Sequence, residues 1–176
     1  MFKKGIISLL VLCSFSALAV DGYNDIKFGD SYEKLLQSKM CTWQQMGEYR
    51  PGILQAMCSD FQFLGQPSIG VAFLIEGKVQ RIGFTIVHDS SSVAALANKL
   101  KEKYGLPSSI STPQEFKEFD STPNREIFMS FDNDTVMLKL TNDAKLNTTA
   151  MMIYSSPNYD HVLKKANEAT IADSDI

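Results

Sequence analysis

"IGVAFLIEGKVQRIGFTIV", residues 69–87, is the stretch that decides the fold class. Ile69–Ile75 is an almost unbroken apolar run of strand length, and Glu76-Gly77 follows as a tight turn. Val79 to Val87 then places Ile82, Phe84 and Ile86 at every second position, which is the period of a strand with one buried face. Two strands joined by so short a connection must pair antiparallel, because a parallel pair needs a crossover of a dozen residues or more.

Working outward, the same logic repeats. Ser90-Ser91-Ser92 precedes Val93, Leu96, Ala97, Leu100 and Tyr104 on one helical face, and Gly105 and Pro107 stop that helix. Residues 106–124, LPSSISTPQEFKEFDSTPN, hold three prolines and many hydroxyls. They read as a long loop with a short edge strand around Phe116 to Phe119. Strands are expected again at Glu126 to Phe131, Thr135 to Leu140 and Thr149 to Tyr154, the first two joined by the turn Asp132-Asn133-Asp134. Ser156 as cap and Pro157 at the first position open a last helix carrying Tyr159, Val162, Leu163 and Ala166. Toward the N-terminus, Asp21 to Phe28 reads as a short strand. A helix with Tyr32, Leu35, Leu36 and Met40 follows it, opened by the capping-box pair Asp30 and Glu33. The expected architecture is α+β: an antiparallel sheet of five to seven strands, helices packed on one face, and two halves that each read as a helix followed by a meander.

The chain begins MFKKGIISLLVLCSFSALAV. Lys3 and Lys4 form a basic start, Gly5 to Phe15 an apolar run too short to span a bilayer, and Ala17-Leu18-Ala19 a small-x-small end, the pattern of a cleaved export signal. Cleavage after Ala19 is expected, to give a periplasmic or secreted protein. Cys13 lacks the small residues that precede a lipid-attachment cysteine and is expected to leave with the signal. Residues 20–170 then form one domain, and 171–176 a flexible acidic tail. The mature chain of 157 residues keeps 15 basic against 20 acidic residues. It is long enough to bury roughly 68–70% of its unfolded surface. Its acidic balance argues against nucleic acid and anionic membrane surfaces as partners.

The runs "IKFGDSYEKLL", "FLIEGKVQRIGFTI" and "LKEKYGLP" resemble small exported bacterial proteins built from helix-plus-meander units, such as outer-membrane assembly lipoproteins and β-lactamase-inhibitor-type domains. The resemblance implies a non-enzymatic protein-binding module of the bacterial envelope. The missing lipid-attachment motif departs from the lipoprotein members.

Candidate chemistry is sparse. Gly29-Asp30-Ser31 is similar to the nucleophile block of GDSL-type hydrolases, but the position three before His161 is Asn158 where that family has aspartate. A helix cap explains Asp30 and Ser31 without catalysis. Ser31-Tyr32-Glu33-Lys34 matches S-x-x-K, and no K-T-G partner accompanies it. The two histidines, His88 and His161, lie in different elements, and Asp132-Asn133-Asp134 lacks the glycine and glutamate of a calcium loop. No cofactor and no metal site is expected. Cys41 and Cys58 enclose sixteen residues, including the sole tryptophan, Trp43. Spacing and isolated histidines disfavour zinc, and a free thiol would face oxidation after export. A disulfide is the expectation, worth about 3 kcal/mol by loop closure. Trp43, Tyr49, Arg50, Phe116 and Phe119 are the candidate partner-binding residues; for Trp43 packing over the core is the preferred reading, and Tyr49 and Arg50 near the tip are the better contact candidates. The functional expectation is a protein that occludes another envelope or secreted protein, of inhibitor or immunity type. An envelope assembly factor is the first alternative, and a small hydrolase using Ser31 and His161 the second.

Overall fold

A computed structural model describes residues 19–86 and 90–174 of the chain, with the side chains of 90 and 170–174 left aside. Residues 1–18, which hold nearly all of the expected export signal 1–19, and His88 lie outside the described residues. The order is β1 (Gly22–Tyr23), β2 (Ile26–Lys27), α1 (Tyr32–Leu35), β3 (Gln44–Arg50), β4 (Ile53–Phe63), β5 (Gln66–Ile75), β6 (Lys78–Ile86), α2 (Ser90–Tyr104), β7 (Ser109–Ile110), α3 (Pro113–Phe119), β8 (Glu126–Phe131), β9 (Val136–Asn142), β10 (Thr148–Ser155) and α4 (Tyr159–Ser174). The fold is α+β. β1 and β2 form a small hairpin of their own, and the other strands make one antiparallel sheet in the order β3-β4-β5-β6-β10-β9-β8-β7. Each half is a helix followed by four antiparallel strands, with α3 inserted between β7 and β8 in the second, and the halves meet last strand to last strand, β6 against β10.

The hairpin that decided the fold class is β5–β6, with Ala72 paired to Ile82 and Gly70 to Phe84. Glu76 (φ 51°) and Gly77 (φ 70°) take the left-handed backbone its turn requires. Eight strands in the main sheet exceed the five to seven expected. The additional ones are β3, β4 and the two-residue β7. The stapled segment read as a loop is therefore mostly a β-hairpin whose turn is Pro51-Gly52. Gly52 at φ 75° supplies the left-handed second position that side chains disfavour. Residues 113–119, read as loop or edge strand, are helix α3. Thr112 accepts from the Glu115 N–H while the Glu115 carboxylate accepts from the Thr112 N–H, a reciprocal cap that overrides the aromatic spacing. α1 is a single turn capped by Ser31, not a helix reaching Met40. Asp30 instead accepts from the Lys27 N–H. Ser156 donates its hydroxyl to Gln80, and the last helix begins at Tyr159.

One core crosses both halves. Ala56, Ala72, Leu74, Val79, Ile82, Phe84, Leu138, Ala150 and Met152 line one face of the sheet, and Leu96, Ala97 and Leu100 of α2 pack on it. Phe84, fully buried, is ringed by Tyr23 (4.4 Å), Phe61 (5.4 Å), Phe63 (5.6 Å) and Tyr154 (6.1 Å) between ring centres. The helices do not all share that face. α4 sets Tyr159, Val162, Leu163 and Ala166 on Ile53, Phe73 and Ile75, which alternate with Ala72 and Leu74 and so point the opposite way.

Candidate surface site at the stapled hairpin

Cys41 and Cys58 form a disulfide with Cα atoms 6.1 Å apart. The cross-link ties the approach to β3 onto the middle of β4. Asp60 fastens the same point, its carboxylate accepting from the Thr42 N–H at 2.9 and 3.1 Å. These hydrogen bonds, first from the Thr42 side chain and then from its backbone, hold the Asp60 carboxyl below its ordinary range. Asp60 and both sulfurs lie within 4.8 Å of one another. Sulfurs bonded to each other present no thiolate to a cation.

Beneath the staple, Trp43 is 4% exposed and belongs to the core. A Cβ on Gly70 would stand 2.9 Å from Cys58 Sγ and 3.3 Å from both the Trp43 and Phe61 rings, so the glycine is what lets β5 approach. The Trp43 indole N–H is buried without a hydrogen-bond partner. Its contribution is packing, and its burial removes it from the exposed set of candidate contacts.

At the far end of the hairpin the picture reverses. Tyr49 is 54% exposed, and Arg50 beside it is exposed. Tyr49 meets Phe73 edge to face at 5.4 Å, and the Arg50 guanidinium lies 5.4 Å from the Tyr49 ring centre. Register shifts at Gln45/Gly47 and Glu48/Arg50 bulge β3 and turn Tyr49 toward the side where α4 packs. Behind it, Arg81 lies 3.5 Å from the Tyr159 ring centre and donates from Nε to Ser155 Oγ at 2.8 Å. Burial lowers the Arg81 pKa from its ordinary value, opposed by the neighbouring Tyr159 and Asp160; a guanidinium so placed still carries its charge. Burial likewise raises the Tyr159 hydroxyl. Tyr49 and Arg50 are the exposed face of an aromatic and guanidinium cluster, with Phe73, Arg81 and the buried Tyr159 packed behind them on a stapled support. Such a patch can stack on and hydrogen-bond to a protein surface.

The remaining candidates are dispersed. Phe119 is 4% exposed, and Phe116 is half-buried in an apolar groove of about 310 Å³ between α2, α3 and the β8–β9 pair, away from the hairpin tip. Ser31 Oγ accepts from the Lys34 N–H at 3.3 Å and bonds to the Glu33 carboxylate, which it holds below its ordinary range. His161 is exposed on α4, and no hydrogen bond joins it to Ser31. Sequence reasoning missed Arg81, Phe73 and Tyr159 as neighbours of the tip. They come from β6, β5 and α4, and only the bulged register brings them to Tyr49.

A larger concavity of about 460 Å³ lies beside the staple, lined by Thr42, Gln44, Met46, Met57, Asp60 and Ile69. Met46 is 60% and Ile69 41% exposed there, beside the polar Thr42, Gln44 and Asp60.

No solved structure matches the chain. It is similar to an uncharacterized protein of Haemophilus influenzae, at 27% identity over 170 residues that cover 96% of this chain and 94% of the relative. A protein family described as "Uncharacterised protein" matches residues 23–174, which span β2, every strand of the main sheet and all four helices, and the chain belongs to that family.

Proposed function

We propose that the protein is an exported envelope protein that binds and occludes another envelope or secreted protein, in the manner of an inhibitor or immunity protein, without catalysing a reaction. The observation that carries this reading is the stapled β3–β4 hairpin, which offers Tyr49 and Arg50 at its tip while its base is locked by Cys41–Cys58 and by Trp43 in the core. A support ordered before contact loses little conformational freedom on binding, and Tyr and Arg are residue types that dominate interface energetics. The basic, apolar and small-residue segments of the first nineteen positions and the disulfide both support export.

The test is affinity recovery from envelope extract of the native host with the purified disulfide-bonded protein. One partner is expected, retained by the wild type and lost with Tyr49→Ala or Arg50→Ala, while the melting temperature of both variants stays within about 1 °C of wild type, as for exposed side chains. A partner enzyme that loses activity on binding identifies an inhibitor. A partner that fails to assemble without the protein identifies an assembly factor. Recovery of no partner, together with an esterase activity abolished by Ser31→Ala, overturns the proposal.

A further inference from the structure

Val20 is the first of the described residues that packs on the core. Ala19 is exposed, whereas Val20 is half-buried and packs against the main core. Its backbone nitrogen donates to Asp132 Oδ2 at 2.8 Å, across 112 positions of sequence. Asp132 opens the β8–β9 turn, in which Asp132, Asn133 and Asp134 all take left-handed backbone, with φ of 51°, 52° and 67°. The same Asp132 oxygen accepts from Thr135 Oγ1 at 2.9 Å, and the Thr135 carbonyl accepts from the Ser155 N–H at 2.8 Å. One carboxylate thus joins the start of the domain, a strained turn and the end of β10. Asp134 is engaged separately, accepting from the Ser108 and Ser109 hydroxyls, and Asp21 pairs with Lys27. No lysine or arginine among the described residues pairs with the half-buried Asp132.

We propose that the missing cation is the protein's own mature N-terminus: Asp132 receives the α-ammonium of Val20 made by hydrolysis of the Ala19–Val20 bond. Water supplies the balance. Its oxygen bonds to the Ala19 carbonyl carbon, the C–N bond breaks, and the Val20 nitrogen leaves as an amine that is protonated to ammonium near neutral pH. The nitrogen need not move. A neutral peptide N–H already 2.8 Å from a carboxylate oxygen becomes a charge-assisted donor to it, the stronger kind of hydrogen bond. Processing and folding are thereby coupled, because only the cleaved chain closes the β8–β9 turn with an ion pair. This inference rests on the export reading above.

The test compares two forms of residues 20–176, oxidised to the Cys41–Cys58 disulfide. One has a free Val20 amine, released from a cleavable fusion; the other is N-acetylated, which restores a neutral amide. Asp132→Asn is expected to lower the melting temperature of the free-amine form by about 2–4 °C more than that of the acetylated form. Equal losses overturn the proposal. Should Asp132→Asn fail to fold in both, acetylation of the wild-type chain alone is expected to lower its melting temperature, and no change overturns the proposal. N-terminal sequencing of the chain recovered from the periplasm of cells expressing all 176 residues separates the two readings. Val20 is expected first; another first residue overturns this proposal and leaves the export reading standing, whereas an uncleaved chain overturns both.

Discussion

Gly70 sets how closely β5 approaches the staple. Because a Cβ there would press on Cys58 Sγ, Phe61 and Trp43 together, Gly70→Val should cost about 1–3 kcal/mol by overpacking, read as a lower denaturant midpoint with unchanged slope. Trp43 gives a second readout of the same corner. As the sole tryptophan, and a buried one, it should emit at short wavelength in the native protein and shift to the red on unfolding. Reduction of Cys41–Cys58 should bring that shift to lower denaturant by about 3 kcal/mol, if chain entropy carries the stabilisation. An unchanged midpoint on reduction would show that Asp60 and the core hold the segment without the covalent bond.

At the scale of elements, several short connections are held by single carboxylates. Asp25 accepts from the Lys39 N–H and the Ser38 hydroxyl, Asp60 from Thr42, and Asp143 from the Asn147 side chain and from the Lys145 and Asn147 N–H groups. These bonds favour the ionised form and hold all three carboxyls below their ordinary range. A folded-state pKa below the unfolded value contributes stability that is present in full above the unfolded value and is lost as pH falls through the folded one. With unfolded carboxyls near 4, the denaturant midpoint should stay level from pH 7 to about pH 5 and fall below about pH 4. A midpoint level down to pH 2 would remove these bonds from the account. α3 makes a separate prediction: Thr112→Ala removes the hydroxyl arm of its cap, leaves the backbone N–H arm to Glu115, and should cost about 1 kcal/mol, measured by the same denaturation.

The elements also show what sequence period can carry. α2, β6 and β8 to β10 stand where apolar spacing puts them, because each turns an apolar face to the main core, and β5, which packs on both faces, stands where its unbroken apolar run puts it. β3 does not announce itself: as an edge strand its QQMGEYR has nothing to bury and so no period to read. β4 is hidden for a different reason. It lies between two strands and buries residues on both faces, and the register shift between Cys58 and Phe61 breaks the alternation at Ser59-Asp60.

Across the whole molecule, the two halves are joined through β6 and β10, which pair from Arg81/Ser155 to Ile86/Ala150. The core runs through that seam, with Phe84 opposite Met152 and Ile82 opposite Tyr154. The halves should therefore unfold as one. Trp43 fluorescence reports the first half and far-ultraviolet circular dichroism the whole chain, and their transitions should coincide. Separate midpoints would mean that the seam is weaker than either half. Met152→Ala, which empties a fully buried site on the seam, should lower the common midpoint by about 2–5 kcal/mol.

Periodicity, turn residues and cysteine spacing were sufficient for the fold class, for the β5–β6 hairpin and for the expectation of a Cys41–Cys58 bond, because each depends on residues near in sequence or on a choice among very few partners. They also left Tyr49 and Arg50 on the surface side of the stapled segment. Only the tertiary structure decided that Trp43 faces the core, that α4 covers the other side of the sheet, and that Arg81 and Tyr159 stand behind Tyr49. Those outcomes follow from strand register and bulges, which set the direction of every side chain beyond them, and register is fixed by packing between segments far apart in the chain.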